Sequence, residues 1–407
     1  MFFRFICLFL LSTSIFANSH SFEDFLSNIR QIATAQGVSK STIDKAFFGL
    51  SPNLDILEAD AKQAEFSQNF WHYINKRVNQ TRLNNGYDTL KQNTSLLNTV
   101  SQKYGVPDYI LVSFLGLESN YGTYTGKLSL IQSLATLAFD PRRSDFFTRE
   151  LVTLLKLIDK GKIPIDAKGS WAGAMGAIQF MPSNVLTYGV DADKDGDIDL
   201  WNSKDDIYAS AANFLKHLGW NKGEKWGREV TIPKNFDYRL TGLQNKKKVT
   251  EWGSLGIRQA NGSALPNSSM EGSLIVPMGH RGPAFLVYQN FRVILDWNRS
   301  QLYALSVGYL ADRIKGQGKL RAKPLDEPLL SKEDILSIQE TLNILGYDVG
   351  VADGVLGPKT RAATRQFQSD IGMVADGYVG YELLQKFQWV LKPTSVSMLA
   401  PNELVSQ

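Results

Sequence analysis

The sole cysteine of this chain, Cys7, lies in an N-terminal stretch where Arg4 precedes the apolar run Phe5 to Leu11 and the small residue Ala17 closes the segment. A charged start, a short apolar stretch and a small terminal residue describe a secretory signal peptide, too short to anchor in a bilayer. The alternative is a buried N-terminal helix. A lipoprotein would need small residues before its cysteine, and Phe5 and Ile6 are large. Cleavage after Ala17 leaves an exported chain without cysteine, so no disulfide, thiolate metal site or cysteine nucleophile can shape it.

Such a fold has to be held by burial. The chain has 407 residues, 43% of them hydrophobic, enough for a sizeable core and for two domains or one large and one small. A formal net charge of +4 gives no basic footprint for nucleic acid. No later stretch is apolar over the length of a membrane span, so no transmembrane anchor is expected.

From Phe22 to about Leu97 the apolar spacing is helical, as in Phe25, Ile29 and Ile32, and helical signals continue from Pro107 to about Leu157. Between about Arg228 and Asp296 the texture changes. Val230 to Ile232, Lys248 to Thr250 and Ala284 to Tyr288 are β-like runs separated by Gly, Pro and Asn, which predicts a small antiparallel sheet inserted in a helical domain. A helix is expected from about Ser300 to Ile314. Lys315 to Leu330 has linker composition, with Gly316, Gly318, Pro324 and Pro328 among charges. Ser331 to Asp334 then forms a capping box, and Ile335, Ile338, Leu342 and Leu345 mark a helix closed by Gly346. In this second unit Asp353-Gly354 recurs as Asp376-Gly377, each turn leading into a helical pattern.

Glu118 carries the clearest chemistry. On a helix it shares a face with Leu111, Phe114 and Leu115, so its carboxyl group is expected to be desolvated, with its pKa raised by burial and by the negative helix end near Gly122. Two readings fit: a general acid, or a buried glutamate paired with an arginine. A second cluster is the run Asp191, Asp193, Asp195, Gly196, Asp197, which has the carboxylates, glycine and spacing of the first part of an EF-hand loop. Position 12 is Asn202 rather than the usual glutamate. The alternative there is a solvated acidic loop. Lys246 to Lys248 reads as a solvated loop or a contact for anionic polymers, and the four histidines show no metal-ligand spacing.

Glu118-Ser119-x-x-Gly122 resembles the signature of lytic murein transglycosylases of the membrane-bound B type. Leu134 to Arg143, Lys168 to Ser183, and Asn290 to Ser300 with Tyr303 to Leu305 resemble further blocks of that family in order. Ser331 to Phe387, with Gln339, Gly346-Tyr347, Gly357-Pro358 and Phe367-Gln368, resembles the type 1 peptidoglycan-binding domain. The resemblance implies a mainly α (α+β) chain: a lysozyme-like catalytic domain with a small antiparallel β insertion and a small three-helix binding domain. The expected boundaries are a signal peptide at 1–17, a catalytic domain at 21–315, a linker at 316–330, a binding domain at 331–387 and a tail at 388–407.

The activity implied is cleavage of the β-1,4 bond between N-acetylmuramic acid and N-acetylglucosamine without water, leaving 1,6-anhydro ends, with Glu118 as acid and then base. Competing readings are a hydrolytic muramidase and a silent peptidoglycan-binding protein. Tyr73, Arg142, Arg143, Ser170, Gln179, Trp297, Asn298 and Tyr303 match groove positions, with ordinary packing or surface ion pairs as the alternative for each. Trp297 and Phe214 replace tyrosines, so stacking is expected to survive there and hydroxyl bonds to be lost. An extended loop of the family places Asp191, Asp193, Asp195, Asp205 and the Asp197 carbonyl around a structural Ca2+. No organic cofactor is expected. The expected partners are peptidoglycan strands, with cell-wall synthesis enzymes as candidates; the expected state is a monomer in the periplasm of a Gram-negative bacterium. For the second domain, the alternative is a stabilising appendage without affinity of its own.

Overall fold

The computed structural model describes residues 21–61 and 69–390; the expected signal peptide and residues 391–407 of the expected tail lie outside them. Helices α1 (Phe22–Ala35), α2 (Lys40–Phe47), α3 (Leu54–Ala61), α4 (Phe70–Arg77), α5 (Gln80–Gln92) and α6 (Thr94–Tyr104) wrap the first part of the core. Their starts are set by side chains that accept orphan backbone N–H groups, among them Ser21, Ser39, Asn69 and Asn79.

The centre is α7 (Asp108–Ser119), whose residues Ile110 to Leu117 are all buried. The expectation of one apolar stripe is therefore too narrow, because α7 is enclosed on every side. After β1 (Leu128–Ser129) come α8 (Leu130–Phe139) and α9 (Ser144–Asp159). Strand β2 (Lys168–Gly169) pairs antiparallel with β1. Helices α10 (Pro182–Tyr188) and α11 (Lys204–His217) flank the acidic loop.

The insertion contains β3 (Gly227–Thr231), β4 (Lys247–Lys248), helix α12 (Val249–Ser254), β5 (Arg258–Gln259), β6 (Glu271–Ile275) and β7 (Ala284–Val287). The five strands pair antiparallel in the order β4-β6-β7-β3-β5. Strand alternation splits β7 between two cores. Phe285 and Val287 join the main helical core, whereas Ala284 and Leu286 pack with Val249, Trp252 and Leu274 in a satellite core. Val249 and Thr250 are helical rather than extended, since Glu251 returns its carboxylate to the Lys248 N–H and starts a helical turn. The β texture also ends before Asp296, which lies in α13 (Gln289–Trp297).

Helix α14 (Gln301–Ile314) packs along α7, where the buried Ser113 hydroxyl donates to the Val307 carbonyl at 2.7 Å. Its Gly308 leaves room for the Trp226 ring; a Cβ there would lie 2.3 Å from it. The Trp226 indole N–H donates to Asp312 at 3.1 Å, which ties the start of the sheet to α14.

Helices α15 (Lys332–Ile344), α16 (Pro358–Asp370) and α17 (Tyr381–Val390) enclose a separate core around Ile338, Leu342, Phe367 and Leu383. The two Asp-Gly turns are built alike. Gln339 accepts from the N–H groups of Asp353 and Gly354 and donates to Asp353, while Gln368 accepts from Gly377 and donates to Asp376. Residues 317–330 form no helix or strand, yet they are fastened. The Glu229 carboxylate takes the N–H groups of Arg321 and Ala322, and Glu327 takes the Tyr378 hydroxyl and the Tyr381 N–H. Asp376 also accepts from the His280 backbone N–H at 2.8 Å, joining the insertion to the C-terminal helices.

Burial pushes the Asp312 carboxyl up to about 6, against an ordinary 3.8. The fold then holds a proton that the unfolded chain releases, so stability falls as pH rises between these values and levels off above them. Asp312→Asn keeps an acceptor for Trp226 and removes the buried charge. It should raise stability in urea denaturation by about 1–2 kcal/mol at pH 8 and leave it unchanged at pH 4.

Candidate active site

Glu118 is the half-buried last charged residue of α7, and the chain turns sharply after it. Asn120, Tyr121 and Gly122 all have positive φ, at 51°, 63° and 87°. Non-glycine residues resist this conformation, so their surroundings must hold it. Ser119 accepts the Gly122 N–H at 2.8 Å, and the Tyr121 hydroxyl donates to the Arg82 carbonyl at 2.7 Å. The Tyr121 ring lies on Gly116, one turn back on α7, where a Cβ would come within 2.6 Å of it.

Two donors converge on one oxygen of Glu118. The Trp297 indole N–H reaches Oε1 at 2.8 Å, and the Tyr303 hydroxyl donates to the same atom. Both come from the α13–α14 corner. Asn298 ends α13 and accepts the Ser300 N–H, and Ser300 caps α14 by accepting the Tyr303 N–H. The Asn298 side chain thus shapes the corner that aims its two neighbours. Burial, then the Glu118 charge, pushes the Tyr303 hydroxyl well above its ordinary pKa, so it remains a neutral donor. The Tyr73 and Arg77 side chains on α4 are close enough to act electrostatically on Tyr303, and the Arg77 guanidinium lies 5.3 Å from the Tyr73 ring centre.

The Trp297 ring is packed against Phe114, Phe180 and Phe214, with centroids 4.4, 5.4 and 5.1 Å away, and Tyr188 stacks on Phe214. Trp297 has no hydroxyl, yet it supplies a hydrogen bond to Glu118 through its indole N–H. Gln179, at φ 49°, donates to the Gly176 carbonyl, and Ser170 accepts the Ala174 N–H. The loop that carries them is pressed against the segment after Glu118; a Cβ on Gly126 would lie 1.9 Å from Gly169. Arg142 and Arg143 stand on the exposed turn before α9. There Arg142 grips Asp140 and Arg143 covers the Phe147 ring at 4.8 Å.

In the acidic loop, the carboxylates that converge within 4.8 Å are those of Asp191, Asp193 and Asp206. The third carboxylate of this cluster is Asp206, which braces the loop from the buried face of α11. Its two oxygens accept the Ala192 and Asp199 N–H groups at 2.7 and 2.8 Å. Asp195 accepts the Asp197 N–H through one of its oxygens. Burial and the charges of Asp193 and Asp191 push the Asp206 carboxyl up against the pull of those N–H groups. Asp191 Oδ1 is buried without a hydrogen-bond partner while Oδ2 takes the Gly196 N–H. An orphaned buried carboxylate oxygen among like charges suits a hard cation. Sequence reasoning missed Asp206, and the signal was a polar row at helical spacing. Asp206, Ser210 and Asn213 all bind the backbone of residues 188–199.

This combination, one glutamate aimed from a buried helix and a separate small helical unit, agrees with the matches to known proteins. Residues 21–312 match the transglycosylase SLT domain, and residues 331–387 match the peptidoglycan binding domain. The chain belongs to the transglycosylase SLT family. The membrane-bound lytic murein transglycosylase B of Escherichia coli K12 is 33% identical over 249 residues, 60% of this chain and 66% of that relative's length, just under two thirds. SltB3 of Pseudomonas aeruginosa, solved in complex with NAG-anhNAM-pentapeptide, is 42% identical with a TM-score of 0.87, covering 90% of this chain and 99% of its own. The Escherichia coli lytic transglycosylase Slt35 in complex with calcium is 29% identical with a TM-score of 0.62, covering 71% of this chain and 92% of its own.

Gly116→Ala should force the Tyr121 ring off α7 and loosen the turn that follows Glu118. Chemical denaturation should show a loss of about 1–3 kcal/mol.

Proposed function

We propose that this chain is a peptidoglycan lytic transglycosylase in which Glu118 serves as acid and then as base. The observation that carries the reading is the convergence of Trp297 and Tyr303 on one oxygen of Glu118 within a wall of aromatic rings. Glu118 protonates the oxygen that leaves with N-acetylglucosamine as the bond from C1 of N-acetylmuramic acid breaks. The C6 hydroxyl of the same muramoyl residue then bonds to C1, and its proton returns to the Glu118 carboxylate. Atoms balance without water, and one carboxyl group suffices where hydrolytic glycosidases use two. Tyr73, Ser170, Gln179 and Asn298 bring aromatic, hydroxyl and amide groups suited to sugar rings and N-acetyl groups, and Arg142 and Arg143 bring charges suited to stem-peptide carboxylates.

Residues 331–387 act as a wall-binding unit that raises the local concentration of substrate at the groove. The site of action is the periplasm, reached through the segment at 1–17. Among the described residues no helix is long and apolar enough to cross a membrane. A calcium ion would be held by Asp191 and Asp193, with Asp195, the Asp197 carbonyl and Asp205 as the further oxygens offered by the loop and α11, and Asp206 as the buried brace. Bound there, it supplies charge neutralisation and loop rigidity.

Mass spectrometry of digested sacculi should show muropeptides lighter by one water than hydrolysis products; hydrated products alone would mean a muramidase. Glu118→Gln should cut the release rate about a thousandfold while sedimentation with sacculi persists, and lysis that continues in the variant would refute the role of Glu118. A calcium chelator should lower the melting temperature by roughly 5 °C, and Asp191→Asn should abolish that response. An unchanged melting curve would refute the structural ion.

A further inference from the structure

A carboxylic acid has two unlike oxygens. One carries the proton, and the other is a carbonyl that only accepts. When donors fix which oxygen accepts, they also fix which oxygen delivers the proton. At Glu118 both donors reach Oε1, and they are not equivalent. A tyrosine hydroxyl can donate or accept by rotating its hydrogen, whereas an indole N–H can only donate. Tyr303 alone would leave the proton free to sit on either oxygen.

We infer that Trp297 is a positioning residue for Glu118, whose indole N–H keeps Oε1 as the accepting oxygen and so assigns the transferable proton to Oε2. This rests on the reading of Glu118 as the acid. Trp297 was expected to present its ring to sugar, but its ring is engaged by Phe114, Phe180 and Phe214, and its polar edge is engaged by Glu118. Those rings hold the N–H in line. Asn298 and the Ser300 cap hold the end of α13 from the other side.

The same bond acts on charge. As Glu118 gives up its proton, negative charge grows on the carboxyl group, and a fixed donor stabilises that charge more than the neutral acid. The consequence is a faster proton transfer and a lower pKa for the acid than burial alone would set. Among the described residues, the charged and titratable groups brought to this region include Tyr73 and Arg77 from α4, Arg82 from α5, and Tyr121 after α7. On α11, Lys204 lies beside the Gly122 turn and Tyr208 acts on Tyr121, and α14 contributes Tyr303. Removal of the indole N–H leaves all of them in place.

The test is the pH dependence of anhydro-muropeptide release from sacculi by the full chain, with two changes at position 297. Trp297→Phe removes the N–H and shortens the ring. Incorporation of benzothienylalanine keeps the bicyclic shape and replaces only the N–H by sulfur, so it remains informative if the phenylalanine variant folds poorly. Both should move the alkaline limb of the profile up by about one pH unit and lower kcat about tenfold, with KM and sedimentation unchanged. An alkaline limb that stays where the native enzyme has it, or a raised KM with kcat intact, would overturn the inference and return Trp297 to the role of a sugar-stacking residue. Product chemistry reads the reaction class separately. Hydrated products from the native chain would refute the transglycosylase reading whether or not the limb moves.

Discussion

The packing of α14 along α7 sets every other distance that matters. Helix α7 is enclosed over eight consecutive residues, Ile110 to Leu117, so it cannot rotate or slide without opening the core. The Ser113 hydroxyl on the Val307 carbonyl fixes the register of the pair, because a buried donor left without its acceptor is costly. With that register set, Tyr303 at the start of α14 meets Glu118 at the end of α7, and Gly308 receives Trp226 from the sheet. One contact between two helices thus places the acid, its donor and the inserted sheet.

The C-terminal unit depends on this frame at one remove. Its own core is closed by the two glutamine-held Asp-Gly turns, which satisfy buried backbone groups that no helix could serve. Its attachment runs through carboxylates that receive backbone N–H groups: Glu229 for the connecting segment, Glu327 for the start of α17, and Asp376 for His280. Burial pushes the Asp376 carboxyl up, but hydrogen bonds from His280, Tyr378 and Gln368 outweigh it and hold the pKa below the usual carboxylate range. These bonds explain why a stretch with linker composition is fastened along the surface rather than left as a tether.

Much of this was legible from residue spacing. The helical period, the capping box at Ser331 and the strand at Ala284 follow local rules, and local rules were enough for them. Glu118 was legible as a carboxyl in an apolar setting, but its donors lie 179 and 185 residues away and no periodicity links them. Asp206 was missed for a different reason: a loop rule counts positions, whereas the carboxylate that braces this loop's backbone sits on the buried face of the next helix. Lys248 to Thr250 misled because β-branched residues suit a strand, yet a single carboxylate at Glu251 is enough to start a helix.

Helix α11 joins the two clusters that carry chemistry. Its first turn holds Asp206 against the acidic loop, and two turns later it holds Phe214 against Trp297. At 1.5 Å per residue these points are about 12 Å apart, too far for a cation at one end to touch reacting atoms at the other. A rigid helix can still carry position over that distance. A charge bound in the loop would therefore bear on the reaction only by keeping Phe214, and through it the Trp297 indole, where the carboxyl of Glu118 needs them.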